Sequence, residues 1–246
     1  VVYPMNKVLP FLLLLFVFTS CSRKYKIEGA SSVTSLDGKM LFIKVLQNGE
    51  WLNIDSAEVV HGLFSMKGPV DSVMMVTLYM DDEGIMPLIL EDGRIEIIIS
   101  NSQLSAKGTL LNNALYEFIE KRNAMEVEMG ELERKEARMV LDGANLEDVH
   151  EQLAKEEETL AKEMNDYVKD FIIENYENVL GPGVFMMMCS TLPYPIMTPQ
   201  IEDIIRTAPQ TFKSSPLVRE FLDKAKENMK LIEEHRRMEE SGKINN

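Results

Sequence analysis

The chain has 246 residues and carries a formal net charge of −14 at neutral pH. This length is sufficient for one domain or two small ones, and 45% hydrophobic with 27% charged residues is typical of a folded protein rather than a disordered one. Because no block rich in lysine and arginine accompanies the acidic balance, nucleic acid is excluded as an expected partner. Two cysteines, Cys21 and Cys189, cannot build a disulfide framework.

The N-terminal segment has the features of a secretion signal. A short positive stretch with Lys7 follows Met5, the expected start, and residues 8–18 are apolar. This run is shorter than the roughly 20 apolar residues that a membrane-spanning helix needs, so we predict a signal peptide over residues 1–20. The alternative is that Cys21 belongs to an ordinary secretion signal without lipid.

The four residues from Phe18 to Cys21, Phe-Thr-Ser-Cys, resemble the lipobox of bacterial lipoproteins. The resemblance implies cleavage between Ser20 and Cys21 and an acyl chain such as palmitate on the sulfur of Cys21. We therefore expect a lipid-anchored protein of the cell envelope whose partner is a membrane. The absence of an acidic cluster directly after Cys21 favours the outer membrane, with the protein facing the periplasm.

Residues 24–107 show the pattern of short strands separated by turns. The predicted strands are Tyr25–Ile27, Met40–Leu46, Trp51–Ile54, Ala57–Val60, Leu63–Met66, Val73–Met80, Ile85–Leu90 and Ile95–Ile99. Turn signals separate them, and Asn48-Gly49 is the sharpest because this pair tolerates positive φ angles. Such spacing favours an antiparallel sandwich or a barrel. We predict a β-sandwich domain over residues 21–109.

From Leu110 the spacing of apolar residues changes to that of helices, and we predict a helical region over 110–240. Two long antiparallel helices are expected to meet at Gly143, with Asn145 as the N-cap of the second. A loop is predicted at residues 181–183, and further helices at Pro199 and Pro216. The polar chain from residue 233 is expected to fray into a tail over 241–246. The predicted fold class is therefore α+β.

Several stretches resemble a bacterial family known as domain of unknown function 4369. They are Lys24–Gly29, Ile54–Val59 followed by Gly62, Phe64 and Gly68, then Leu90–Gly93, and Gly108–Asn113. The resemblance implies a lipoprotein, because the relatives are commonly lipoproteins in which this domain precedes a thioredoxin-like thiol-disulfide oxidoreductase module. Such a module usually contains a Cys-x-x-Cys pair, which this sequence lacks. The redox activity of the relatives is therefore not expected here.

The individual candidates for chemistry each have a simpler structural interpretation. Cys189 could be a reactive thiol, but the apolar residues before it predict a buried and inert one. The adjacent methionines 186–188 could favour Cu(I), yet consecutive helical residues point in different directions, so core filling is preferred. His61, His150 and His235 fit no metal-ligand spacing. Asp81–Gly84 could hold calcium but is better explained as a solvated hairpin turn.

We therefore predict no enzymatic activity, no catalytic residues, no metal site and no cofactor. The first hypothesis is a membrane-anchored binding or scaffold module that presents a surface to a periplasmic protein or ligand. The second is an accessory protein to a separately encoded thioredoxin-like oxidoreductase. The third, an unrecognised enzyme, requires pocket carboxylates with perturbed pKa values.

Overall fold

A computed structural model describes residues 23–47 and 49–244, with side chains as far as Met238. The predicted signal peptide, the Ser20–Cys21 cleavage site and the lipid-bearing Cys21 lie outside the described residues, so these remain predictions. Within the part that is described, no helix is both long enough and apolar enough to cross a membrane.

The N-terminal half of the described chain forms two four-stranded sheets. Sheet A has the order β4-β1-β7-β8, with β1 at Lys24–Ser31, β4 at Leu63–Pro69, β7 at Gly93–Ile99 and β8 at Leu104–Lys107. Sheet B has the order β3-β2-β5-β6, with β2 at Met40–Gln47, β3 at Glu50–Glu58, β5 at Met74–Met80 and β6 at Glu83–Leu90. The sandwich prediction is confirmed.

One strand pairing departs from the antiparallel pattern. β1 runs parallel to β7, whereas the other pairings between these strands are antiparallel. The chain leaves sheet B at the end of β6 and enters sheet A as β7, so the two parallel strands are joined by a long connection through the other sheet. Parallel pairs need such crossovers and cannot be inferred from hairpin turns.

Two aromatic rings in sheet A lie over glycines of the neighbouring strand. Phe64 pairs with Gly29, and Tyr25 pairs with Gly68, across β1 and β4. A Cβ atom on Gly29 would overlap the Phe64 ring, and one on Gly68 would lie 2.6 Å from the Tyr25 hydroxyl. The glycines therefore provide the space that the rings fill, which explains four residues of the motif in packing terms.

The C-terminal half of the described chain is helical. Helix α1 spans Leu110–Leu141 and α2 spans Leu146–Glu174, and they pack as an antiparallel pair. The turn between them passes through Gly143 at a φ of +90°, and the Asn145 side chain accepts from the N–H groups of residues 147 and 148. Both features were predicted from the sequence and are confirmed.

The remaining helices pack with the sandwich into one core. They are α3 at Leu180–Cys189, α4 at Pro199–Thr207, α5 at Gln210–Ser214 and α6 at Pro216–Ile244. Phe185 of α3 contacts Phe212 and Phe221 edge-on, with ring centroids 5.5 and 5.6 Å away. Gly183 lies against the Met75 side chain of β5, so α3 packs on the outer face of sheet B.

Several local expectations differ from the structure. The two strands predicted at Trp51–Ile54 and Ala57–Val60 are one continuous strand, β3. Residues 181–183 lie in the first turn of α3 rather than in a loop, because proline is tolerated there and Gly183 allows the close approach to Met75. The short elements β8 and α5 were not predicted, and α6 continues to Ile244 instead of ending near residue 233.

Candidate functional site

Two of the family motif stretches meet where the end of β6 contacts the start of α1, and we call this region the joint, residues 89–91 and 108–113. Glu91 is buried directly after β6, and its carboxylate accepts from the backbone N–H groups of Leu111 at 2.9 Å and Asn112 at 3.0 Å. A negative charge at this place satisfies free N–H groups of the first helical turn and interacts favourably with the helix dipole. The role of Glu91 is therefore to fix the start of α1.

Asn112 is the fully buried centre of the joint. Its side-chain amide donates to the carbonyl of Ile89 at 2.7 Å and to the Thr109 hydroxyl at 2.9 Å, and its carbonyl accepts from the N–H of Ile89 at 2.9 Å. Ile89 belongs to β6, which lies at the edge of sheet B. The Asn112 side chain thus makes the two backbone hydrogen bonds to Ile89 that a neighbouring strand would otherwise make. These bonds connect α1 to the edge of sheet B.

The glycine of the same motif also has a structural role. Gly108 adopts a φ of +105°, and a Cβ atom there would lie 2.5 Å from the carbonyl oxygen of Arg94. Its N–H donates to the Asn113 side chain at 3.0 Å. Since any other residue would be strained at this φ and would clash with β7, the position requires glycine.

A further motif pair links the two sheets. The Tyr25 hydroxyl in sheet A donates to the Asp55 carboxylate in sheet B at 2.7 Å. Burial and this hydrogen bond together raise the pKa of the Tyr25 hydroxyl above its usual range. The motif residues therefore act in packing and hydrogen bonding, and those described here do not converge on an open pocket.

Cys189 ends α3 and is buried. Burial raises the pKa of the Cys189 thiol to about 12, so the nucleophilic thiolate is scarce near neutral pH. The structure thus agrees with an inert thiol and gives it none of the surroundings that activate a redox cysteine.

The other candidates lie far apart on the surface. Asp81 and Asp82 form the β5–β6 hairpin turn, with Asp81 at a φ of +53°, and residues 83–84 begin β6. His61 occupies the turn before β4 at a φ of +52°, and His150 of α2 pairs with Glu136 of α1 at 2.6 Å. His235 lies in the exposed last part of α6. Among the described residues, no group of three histidine, cysteine or acidic side chains is placed to hold a metal ion.

A cavity of about 1110 Å³ opens between one end of sheet B and the helical half. We call it the cleft. Its walls come from the end of β2, the start of β5, the turn before α3, and helices α5 and α6. The lining residues used below are apolar at Val45, Leu46, Val73, Met74, Met75, Phe212 and Leu217, and charged at Glu177, Arg219, Glu220, Asp223, Lys224 and Glu227.

The charged side of the cleft is mainly the exposed face of α6. Residues 220, 223, 224 and 227 follow the spacing of one helical face, so they project together along the opening. Lys224 pairs with Glu227 at 2.8 Å, and its hydrogen bond is the main cause that lowers the pKa of Glu227. The cleft therefore combines an apolar floor with a rim in which carboxylates outnumber cations.

Sequence reasoning missed this cleft. The acidic spacing on α6 is visible in the sequence, but the same spacing occurs on any solvated helix face. The apolar floor comes from strand ends that the sequence assigns to the core. Only the packing of α6 beside sheet B brings the two together.

Comparison with known proteins supports one conclusion. No curated protein matches the chain. Residues 25–115 match the model of the family described as domain of unknown function (DUF4369), a range that runs from β1 through the sandwich and the joint into α1. The resemblance stated from the sequence motifs is confirmed, and residues 25–115 form a domain of the kind described as DUF4369.

Proposed function

We propose that this protein is a lipid-anchored binding module of the bacterial envelope, without catalytic activity, whose cleft holds an amphipathic and positively charged segment of a periplasmic partner protein. The observation that carries the proposal is the cleft itself, with its apolar floor and acidic rim. The membrane anchor is supported by the sequence features that end at Cys21.

The floor of the cleft is suited to apolar side chains. Val45 and Leu46 at the end of β2, Met74 and Met75 in β5, and Leu217 in α6 line it, and each is partly buried. Methionine side chains adapt to differently shaped partners because their three rotatable bonds allow repacking. Burial of a partner's apolar side chains on this floor supplies the main favourable free energy of binding.

The rim determines which charge a partner should carry. Four carboxylates line the cleft, at residues 177, 220, 223 and 227, against two cations, Arg219 and Lys224. Since Lys224 already pairs with Glu227, the rest of the rim has three carboxylates against Arg219. A ligand with lysine or arginine beside its apolar groups complements this rim, and the overall charge of −14 adds long-range attraction.

The chemistry of the lining residues supports binding over catalysis. Of the described residues that line the cleft, none is histidine or cysteine. A carboxyl group that serves as a general acid near neutral pH needs a raised pKa, whereas the pKa of Glu227 is lowered by Lys224. The hypothesis of an unrecognised enzyme therefore gains no support from the cleft.

The binding proposal can be tested with two labelled peptides and the detergent-solubilised full-length protein. One peptide alternates leucine with lysine and the other alternates leucine with glutamate. We expect the basic peptide to bind and the acidic one to fail. The double substitution Glu220→Lys with Asp223→Lys should weaken binding of the basic peptide by about tenfold or more, because it reverses the charge of the rim.

The matched control places the same charge change elsewhere. Glu133→Lys with Glu157→Lys alters two exposed residues of the α1–α2 pair, away from the cleft. This variant should bind the basic peptide with an affinity within about twofold of that of the wild type, because salt screens charges that lie far from the cleft. Equal weakening in both double variants would show non-specific attraction to an acidic protein and would overturn the proposal, as would no binding of either peptide.

The anchor is tested separately. Strand β1 begins at Lys24, only three residues after Cys21. An extended chain spans about 3.3 Å per residue, so lipid on Cys21 would hold the sandwich close to the headgroups. Palmitate labelling should tag the wild type, and Cys21→Ser should release the protein from membranes. Continued membrane association of an unlabelled Cys21→Ser variant would contradict the anchor.

A further inference from the structure

We propose that a second, smaller pocket between α1, α2 and α3 binds a soft monovalent metal ion, Cu(I) or Ag(I), through the thioether sulfurs of Met164, Met187 and Met188. The pocket has a volume of about 270 Å³ and is separate from the cleft. Its floor is apolar, with Phe118 of α1 at one side.

Helix α3 contributes two of the three methionines to the pocket. Val184, Met187, Met188 and Thr191 all line the pocket, and they are spaced by three, one and three residues. This spacing keeps them near one face of a helix of 3.6 residues per turn. The sequence argument that consecutive methionines diverge is therefore only partly right, because two of the three in the run share the face that Val184 defines.

The third sulfur comes from α2. Met164 lines the same pocket one turn before Val168. The convergence of Met164 with the α3 pair depends on the packing of α2 against α3, and the sequence gives no sign of it. The two packed helices fix the backbone positions of the three methionines, and their flexible side chains can bring the thioethers to one ion.

Thioethers select a particular kind of metal. They are soft, neutral ligands that favour Cu(I) over harder ions such as Mg²⁺, Ca²⁺ and Mn²⁺. The described lining of the pocket contains no histidine or cysteine to favour Zn²⁺. All three methionines are partly buried, so an incoming ion can reach them and then be shielded from most of the water.

The charges beside the sulfurs do not oppose a cation. Arg122 lines the pocket, but it pairs with Glu126 at 2.5 Å, and Glu126 lines the pocket as well. The pair is neutral as a unit, so the arginine is compensated where the ion would bind. The Glu126 side chain is also the one carboxylate in the described lining that could balance the charge of the bound ion.

Silver(I) is the appropriate probe because it mimics Cu(I) and does not change oxidation state. The full-length protein in detergent would carry Cys21→Ser and Cys189→Ala, which remove both thiols of the chain. Silver nitrate is titrated in chloride-free buffer and followed by calorimetry and by the NMR signals of ¹³C-labelled methionine methyl groups. We expect one equivalent to saturate and the methyl signals of Met164, Met187 and Met188 to shift.

Substitution by leucine removes sulfur at nearly constant volume and preserves the core. Met164→Leu with Met187→Leu should weaken Ag(I) binding at least about tenfold, because it leaves one of the three ligands. Met129→Leu with Met139→Leu is the matched control on α1. Its affinity for Ag(I) should equal that of the protein that carries only the two cysteine substitutions. Circular dichroism establishes that all variants are folded.

A pH series separates thioethers from other ligands. Thioethers have no proton to lose, so the affinity should be constant between pH 5 and pH 8, whereas histidine ligands would weaken at the lower pH. Equal affinity in the two double variants would overturn the proposal, and so would shifts spread over many methyl signals without saturation. A loss of affinity at pH 5 would identify histidine ligation instead and would likewise overturn it.

Discussion

The joint and the distal part of the α1–α2 pair hold helices in place by opposite means. In the joint, a buried amide and a buried carboxylate make short hydrogen bonds to backbone groups of β6 and α1. The distal part, which we call the arm and define as residues 126–160, has an apolar seam with Val149 and Leu153 buried. Its polar contacts are surface ion pairs such as Lys135 with Glu156.

The difference shows where orientation is specified. A buried polar group needs its partners, so the joint is stable in one geometry and any displacement leaves unpaired groups in a dry environment. Apolar side chains and exposed ion pairs tolerate small shifts, so the arm can adjust without a comparable cost. The matching family motif lies in the sandwich and the joint and not in the arm, in agreement with this division of roles.

The largest effect is expected when the centre of the joint is removed. Asn112→Ala leaves the N–H and carbonyl of Ile89 and part of the Glu91 carboxylate without their partner. We expect a loss of about 3 kcal/mol in the free energy of unfolding, measured by urea denaturation. Asn113→Ala is the control, because its exposed side chain makes a single hydrogen bond to Gly108 and should cost about 1 kcal/mol or less. Equal effects would remove the distinction on which the comparison depends.

Neutralising the carboxylate of the joint should have the next largest effect. Glu91→Gln keeps the shape and one acceptor oxygen but loses the charge beside the first turn of α1. We expect a loss of about 1.5 kcal/mol, since charged acceptors at a helix N-terminus are stronger than neutral ones. Hydrogen exchange should be faster at the N–H groups of Leu111 and Asn112. Unchanged exchange at both would show that Glu91 does not fix the start of the helix.

Cys189 provides a buried titratable group outside both regions. Its folded pKa of about 12 is raised above the unfolded value, so its contribution to stability is present below about pH 8.5 and is lost as the pH rises toward 12. At pH 10 the loss relative to Cys189→Ala should be about 1.4–2 kcal/mol. Native alkylation at pH 7.5 should be slow and should become fast after denaturation. Rapid native alkylation that is lost in Cys189→Ser would favour a redox role instead.

The smallest effect is expected in the arm. Lys135→Ala removes the partner whose hydrogen bond is the main cause that lowers the pKa of Glu156. Because both side chains are only partly buried and the pair lies at the surface, we expect Tm to change by no more than about 1 °C at pH 7. The contribution of a lowered pKa is fully present above the unfolded pKa of about 4.3, so the remaining difference should disappear as the pH falls from there through the lower folded pKa of Glu156. A shift of Tm as large as that of Asn112→Ala would show that the arm is specified by its polar contacts.

The sequence predicts most of the elements because their local patterns are strong. Alternating apolar residues and glycine-containing turns indicate seven of the eight observed strands, although β3 appears as two pieces. The turn at Gly143 and the helix starts at Pro199 and Pro216 follow from backbone preferences of glycine and proline. These features depend on neighbours in the chain, and a single sequence contains that information.

Features that depend on distant residues could not be predicted. The parallel pairing of β1 with β7 follows from the path of the chain through both sheets. Strand β8 is short and contains serine and alanine, which have little intrinsic preference for strands, and it forms because β7 offers an edge. Asn112 has the sequence context of an ordinary helix residue, and its partner Ile89 is 23 residues away. The cleft and the methionine pocket depend in the same way on packing.

The position of β1 inside sheet A determines how the molecule responds to mechanical load. Residues 24–30 pair with β4 on one side, and residues 25–31 pair with β7 on the other. Tension applied to the chain just before Lys24 acts along the strand, so both ladders of hydrogen bonds are sheared together and cannot be unzipped one bond at a time. A tether at Cys21 would therefore enter the fold at a mechanically resistant strand, and thermal motion of a membrane would be transmitted to the sandwich as a whole.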